Sequence, residues 1–480
     1  MPQTIAELSR STPESVGLSS KNVLAFVDAV EAADLELHSL MILKDHQVVA
    51  EGWWAPYRQE DIHLLYSLSK SFTSTAIGFA VQEGLVDIDA PVLTYFPSEA
   101  PENPSDKLKA MKVRHLLSMS TGHAADDMGS DMTFREDGDW VRGFLGREVV
   151  YDPGTHFLYN NGASYTLSAI VSKVTGMSAL DYLRPRLLDP IGIDHATWTT
   201  CPKGVSMGAT ELRITTESIA RFGQFYLDRG VWNRQQLLSA EWIDLATSFQ
   251  VPNANGAQSD WEQGYGFQFW RCRHDCYRGD GAFGQFCIVI PKFNMVVAMT
   301  SSVSDMQAVL DLVWEYLLGP AKSEAIPADL DAHDILKKRL ASLTLPAPMG
   351  NTKSPIIPEV SGKIFKSTAE TDGFDTCTFD FDPMGCTMTV RTSKGDRSIR
   401  AGCAQWVKGV TSIEGLGGKR IASIGRWTAE DTYEIKVRYT ESPSGIRIVS
   451  KFAEKSVRVQ LILTARFGSP DGPTFEGSFT

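Results

Sequence analysis

The chain has 480 residues, 43% of them hydrophobic and 22% charged, with a formal net charge of −12 at pH 7. That length supports two or three domains with large cores, and the composition excludes a disordered chain. The acidic balance, with no Lys/Arg-rich run, argues against a nucleic-acid partner, and no apolar stretch approaches the roughly 18 residues that would argue for a membrane span. The opening MPQTIAELSRSTPESVGLSS has no basic region followed by an apolar one, so no signal peptide is expected. Seven scattered cysteines, an odd number, fit reduced thiols and a cytoplasmic location.

In chain order, SLMILKDHQVVAEGWW (39–54) reads as a hairpin, two β-rich runs around the polar turn Lys44-Asp45-His46-Gln47. From 65 to about 245 the signals are mostly helical, broken by loops rich in Gly, Asp and Pro. Strand runs return at GYGFQFWRC, AFGQFCIVIP and NMVVAMTSS (264–302). CRHDC within this region, with Cys272, His274 and Cys276, lacks the second ligand pair of a zinc site and reads as a hairpin turn. SDMQAVLDLVWEYLLG then reads as a closing helix, with Ser304 as N-cap, an apolar stripe of Met306, Val309, Leu310, Val313 and Leu317, and Gly319 as its stop. Strands from both ends of the region should therefore share one sheet, flanked by helices, with a helical insert between them.

Proline-rich, weakly hydrophobic sequence follows, with a short basic helix at ILKKRLASL, and it reads as a linker over 323–358. Beyond it lie short alternating runs such as CTMTVRT, YEIKVRYT, GIRIVSKF and VRVQLILTARF. Their spacing predicts a small antiparallel barrel or sandwich over 359–480. The domains are thus expected at 1–322 and 359–480.

The chemistry begins at HLLYSLSKSFTSTAIGFAVQ (63–82), where Ser67 and Lys70 precede an apolar helical run. A serine hydroxyl is a poor nucleophile until a base takes its proton. Residues three apart share a helix face, so Lys70 can place its amine beside Ser67. A helix N-terminus adds free backbone N–H groups and a positive dipole end for a developing oxyanion. Burial lowers a lysine pKa and makes the amine a base. The plainer reading is a capping serine followed by an exposed lysine.

YDPGTHFLYNNGASYTLSAIV (151–171) holds Tyr159-Asn160-Asn161, the only Tyr-x-Asn in the chain. A tyrosine beside an ammonium can be held partly as phenolate and pass protons to a leaving group. Asn161 can hydrogen-bond both the lysine and a substrate amide. The plainer reading is a turn before a helix, with Tyr159 in the core.

Together these motifs resemble the serine β-lactamase and penicillin-binding-protein superfamily, in its class C, esterase and aminohydrolase branch. That family carries Ser-x-x-Lys, then Tyr-x-Asn, then Lys-Thr-Gly or His-x-Gly on a strand. SLSKSFTS and FLYNNGASYTL match the first two, and VRHLLSMSTGH is similar to the segment between them. The resemblance covers about residues 10–320 and implies an α/β fold, an antiparallel sheet flanked by helices plus an all-helical lobe. The later barrel is similar to the lipocalin-like appendages of some D-aminopeptidases and peptidyl cyclases.

The third motif departs from the family pattern. RGDGAFGQF places Gly279, Asp280 and Gly281 where the family has Lys, Thr and Gly, with Ala282 next. The resemblance implies an oxyanion hole made by the N–H groups of Ser67 and Ala282. Strand alternation turns Arg278 away from the face of residue 279. Gly279 is expected to leave room for a bulkier substrate group, and Asp280 to repel a carboxylate such as that of a β-lactam. A glycine-rich bulge is the plainer alternative.

The implied activity is a serine hydrolase acting on esters or amides of small molecules or short peptides. Ser67 would be the nucleophile, Lys70 and Tyr159 the proton-transfer pair, and Asn161 the orienting group, with no cofactor or metal. Neither a nucleic acid nor a membrane partner is expected, and a homo-oligomer stays open. The alternatives are a penicillin-recognising or β-lactamase-type protein that acylates with little turnover, and a non-catalytic protein binding ligands in its barrel. A Ser-His-Asp triad, whose usual mark is a Gly-x-Ser-x-Gly elbow between a strand and a helix, is the main mechanistic competitor. His123 and His156 read as loop or packing residues, and Asp126 and Asp127 as loop-solvating acids. Trp53, Trp54, Trp140 and Trp270 read as core aromatics that could also line a pocket.

Overall fold

The computed structural model describes residues 7–126, 138–253, 258–368, 374–393, 395–411 and 419–479. The strand runs of the first region pair across a long stretch of sequence. The strands are β1 (Ser9–Arg10), β2 (Leu37–Lys44), β3 (Gln47–Trp53), β4 (Trp270–Arg271), β5 (Tyr277–Gly281), β6 (Gln285–Ile290) and β7 (Met295–Ser301). They form a seven-stranded sheet in the order β1-β3-β2-β7-β6-β5-β4. The expected hairpin turn is present, with Asp45 and His46 both at positive φ (49° and 65°), as a tight two-residue connection requires. The segment around CRHDC is likewise a turn between β4 and β5.

Both faces of this sheet are buried, and alternation along β2 shows it. Leu40 and Ile42 join one apolar cluster, Met41 and Leu43 the other. On the first side lie α1 (Ser20–Ala32), α5 (Met306–Leu312, continued by a wider turn over Val313–Leu318) and α6 (Leu330–Ala341). On the second lie α4 (Thr216–Leu227) and the helical lobe that holds α2 (Ser69–Gln82) and α3 (Asn161–Thr175). Asp305, not Ser304, caps α5, its side chain accepting from the Ala308 N–H. Among the described residues no helix is long and apolar enough to cross a membrane.

The expected linker over 323–358 needs correction in its first half. Leu336, Leu343 and Leu345 are buried in the same layer as α1, and α6 packs on β3. The low average hydrophobicity of the segment hides these spaced leucines, so α6 belongs to the first domain's packing.

The last region forms β8 (Ile364–Ser367), β9 (Thr376–Asp382), β10 (Gly385–Thr392), β11 (Gly395–Gly402), β12 (Val407–Thr411), β13 (Lys419–Ala429), β14 (Thr432–Tyr439), β15 (Gly445–Ala453), β16 (Ser456–Thr464) and β17 (Asp471–Ser478). A parallel bridge between Gly402 and Ile424 joins β11 to β13, closing nine strands into a barrel with β12 at the side. Phe365, Phe379, Trp427, Tyr433 and Phe452 fill its interior. The cavity beside Cys377, Met388 and Phe475 is only about 20 Å³. A barrel packed in this way is a poor container for a ligand, which weighs against the barrel-binding alternative.

Barrel and sheet domain meet through polar contacts of unusual depth. Arg438 on β14 is buried and donates to both carboxylate oxygens of Glu36, at 2.7 Å each. Glu36 Oε1 lies 3.2 Å from His38 Nε2, and His38 Nδ1 lies 3.0 Å from His63 Nε2. His63 reaches the Leu64 carbonyl, three residues before Ser67, while the Leu64 N–H donates to the barrel at Glu441 O. The Tyr57 ring stacks on His38 at 3.7 Å. Burial drives both histidines toward the neutral form; it also pushes the Glu36 carboxyl up, but the contacts with His38 and Arg438 outweigh it and hold that carboxyl well below its usual range. Removing one partner of a buried pair strands the other, at a cost of about 3 kcal/mol. Arg438→Met should therefore lower the denaturation midpoint markedly and expose the 346–363 connection to limited proteolysis. Arg458→Met, at an exposed pair on the barrel surface, should do neither.

Candidate active site

The nucleophile candidate sits on a strained entry to a buried helix. Tyr66 takes φ 46°, and Tyr66–Leu68 form a tight turn that feeds α2. Ser69 locks this turn, its hydroxyl donating to Tyr66 O at 2.6 Å and accepting from the Leu212 N–H. Ser67 caps nothing, and Lys70 is 1% exposed, so the plain reading of a capping serine and solvated lysine fails.

Among the described residues Lys70 Nζ has three neighbours within hydrogen-bond reach. They are Ser67 Oγ at 2.9 Å, Asn161 Oδ1 at 2.7 Å and the Ala209 carbonyl at 2.8 Å. Burial pushes its pKa down to about 7, against the pull of Asp126 and Asp280 toward the charged form. A neutral amine fits this shell fully. Two N–H bonds donate to Asn161 and Ala209, and the lone pair faces the Ser67 hydroxyl. The arrangement is a base aimed at a serine.

Tyr159 adds a hydroxyl but not a phenolate. Its ring lies 4.8 Å from Lys70 Nζ and stacks on Trp270 at 5.3 Å. Burial, reinforced by Asp280, raises its pKa well above the usual tyrosine value. The expected partial phenolate is therefore corrected: Tyr159 is a neutral phenol here. Asn161 is fixed by Asp126, which accepts from both its backbone N–H (2.9 Å) and its side-chain amide. Asp126, read from sequence as a solvating acid, instead orients the residue that orients Lys70. Asp127 lies outside the described residues.

Strand β5 closes the other side. Gly281 passes so near the nucleophile turn that a Cβ there would lie 1.9 Å from Leu65 O and 3.1 Å from Ser67 N. Only glycine permits that approach, which brings the backbone of Ala282 toward Ser67. The expectations for the other two positions need correction. The space beside Gly279 is filled by Leu68 and Ser71, at 2.4 and 2.5 Å from a notional Cβ, so it offers no room to a substrate. Asp280 is not a lone negative charge. Arg278 turns away from the face of Gly279 as alternation requires, and that places it beside Asp280, with Nε 2.9 Å from Oδ2. Burial pushes the Asp280 carboxyl up and the Arg278 guanidinium pulls it back. The pair is nearly neutral toward a ligand, so simple charge repulsion no longer argues against a carboxylate.

Among the tryptophans Trp270 reaches the site, while Trp54 bonds Glu31 beside α1 and Trp140 packs on Tyr165. Trp53, half-buried, packs against the helical-lobe cluster. His123 contacts Thr121 and Phe144, and His156 stacks on Tyr151, both packing roles as expected. Sequence reading missed the Ala209 carbonyl, which no side-chain pattern announces.

Sheet and helical lobe together define a β-lactamase type of fold. The family model for Beta-lactamase matches residues 27–317, and the chain belongs to that family. It is 26% identical over 286 residues to the 6-aminohexanoate-dimer hydrolase of Paenarthrobacter ureafaciens, spanning 56% of this chain and 73% of the relative. An octameric penicillin-binding protein homologue from Pyrococcus abyssi superposes with a TM-score of 0.51 at 16% identity, over 95% of this chain and 99% of that one. A penicillin-binding protein homologue from Caulobacter crescentus gives 0.51 at 17% identity, over 62% and 99%.

With a base of pKa about 7, kcat/KM should fall about tenfold per pH unit on the acid side and level off above it. Asp126 favours the ammonium, so Asp126→Asn should move that limb to lower pH, read from the kcat/KM profile. Gly281→Ala should slow acylation by about a hundredfold, the scale of a lost oxyanion donor, measured by single-turnover kinetics.

Proposed function

We propose that the chain is a serine hydrolase that cleaves esters or amides of small molecules or short peptides through an acyl-enzyme on Ser67. The observation that carries this reading is the buried amine of Lys70, satisfied as a neutral base and 2.9 Å from Ser67 Oγ.

Lys70 takes the hydroxyl proton as Ser67 Oγ bonds to the substrate carbonyl carbon. The oxyanion gathers at the N–H groups of Ser67 and of Ala282, the residue that follows β5. The ammonium then formed is stabilised by Asn161 Oδ1, Ala209 O and the nearby Asp126 and Asp280. Tyr159 gives its phenol proton to the departing amine or alcohol and is recharged from Lys70, so no free phenolate need persist. Water, deprotonated by the same pair, releases the acid and restores Ser67. Small linear amides are the first substrates to try, given the name of the Paenarthrobacter relative.

Ser67→Ala should lower turnover by several orders of magnitude without changing the unfolding free energy by more than about 1 kcal/mol. A fluorophosphonate should label Ser67 and no other serine in the wild-type chain, read by peptide mass mapping. Label at another serine, or unchanged turnover in Ser67→Ala, would end this reading.

A further inference from the structure

A cavity of about 920 Å³ lies where the barrel meets the sheet domain. Phe283, the residue after Ala282, and Ser302 belong to its catalytic-domain wall, and Lys436, Arg438, Arg447 and Arg466 to its barrel wall. The cavity approaches the nucleophile turn through aromatic rings. Phe283 lies 5.5 Å from the ring of Tyr66, which precedes Ser67, and 5.2 Å from that of Phe467, which follows Arg466. Phe467 is 71% exposed, an unusual state for a ring that meets two others beside a cleft.

The charges of the cavity do not balance internally. Arg438 is paired with Glu36 and Arg447 with Glu434, each through two hydrogen bonds. Lys436 and Arg466 have no carboxylate partner among the described residues, and Lys436 Nζ donates to the neutral carbonyl of Pro346 at 3.2 Å. Burial and the neighbouring Arg438 lower the Lys436 pKa, while Glu434 and Glu36 pull it back up. Arg466 and the lining carboxylate outside these pairs, Asp34, are both exposed at the cavity's rim. Ile462, Leu463 and Met349 give the same cavity an apolar side.

We propose that this interdomain cavity is a substrate subsite for a carboxylate, held by Lys436 and Arg466, at the end of an apolar chain that leads to the scissile carbonyl. The proposal rests on Ser67 as nucleophile and adds the substrate class: linear esters or amides with a terminal carboxylate. The barrel thereby supplies recognition from its outer wall, its interior being full.

Two readouts test it separately from the chemistry. The first is binding of adipate to full-length Ser67→Ala protein by calorimetry, with and without Lys436→Met and Arg466→Gln together. Binding weakened at least tenfold by the double substitution, and by added salt, is expected. No adipate binding, or binding unchanged in the double variant, would overturn the subsite whatever Ser67 does. The second compares kcat/KM for esters and amides with the carboxylate free or methyl-capped, on the acyl part in one series and the leaving part in the other. In one series the free acid should win by about tenfold, chiefly through KM. The ratio should collapse in the double variant and persist in Arg458→Gln on the barrel surface. Equal rates for free and capped forms in both series would overturn the proposal. Failure of every substrate, with no fluorophosphonate label on Ser67, would instead count against the nucleophile assignment while the adipate result still judges the subsite.

Discussion

A primary amine taken out of water must either lose its proton or find enough acceptors to keep it, and the burial of Lys70 poses that choice at the centre of this molecule. Its three polar neighbours come from three separate places: the turn before α2, the start of α3 and the backbone at Ala209. Each is held by its own secondary interactions. Thr73 donates to Gly208 O beside Ala209, Asp126 grips Asn161, and Ser69 ties the nucleophile turn to Leu212. The shell is matched to a neutral amine as well as to an ammonium, so a proton can come and go with little rearrangement. Such matching is what a general base requires.

The same economy of charge governs the strand opposite. A buried carboxylate at 280 would be costly by itself, and Arg278 two residues earlier on the same face offsets it. The guanidinium is in turn stacked over Trp261 and bonded to the Asp260 carbonyl. Trp270, on β4, lies 5.7 Å from the Arg278 guanidinium and stacks on Tyr159, so the ion pair and the tyrosine share one rigid wall. Glycine at 281 then lets that wall touch the nucleophile turn. Gln268 performs a comparable task deeper in, bridging α2, α3 and the carbonyls of Leu116 and Leu117.

The barrel belongs to this arrangement through contacts that end close to Ser67. The string from Arg438 through Glu36, His38 and His63 stops at Leu64, and the Leu64 amide is itself bound to the barrel. The superposition on the Pyrococcus abyssi protein extends over nearly the whole of both chains, so sheet domain and appendage recur together as a fold.

Periodicity and punctuation alone determined much of this protein. The hairpin at 39–54, the closing strands and helix, the shift to short β runs after 359, and Ser67, Lys70, Tyr159 and Asn161 as a set were all readable, because local pattern reports burial and motif spacing reports chemistry. Positions whose meaning depends on what lies across a gap were not readable. Gly279 looked like open space and is filled by Leu68 and Ser71. Asp280 looked like a free charge and is paired. Tyr159 looked like an activated phenolate and is held neutral by burial. The leucines of α6 vanished into a proline-rich average, and Ala209 contributes a carbonyl that every residue type possesses. Side-chain identity is written in the chain, but protonation, free volume and backbone acceptors are set by long-range neighbours, and only the tertiary structure decides them.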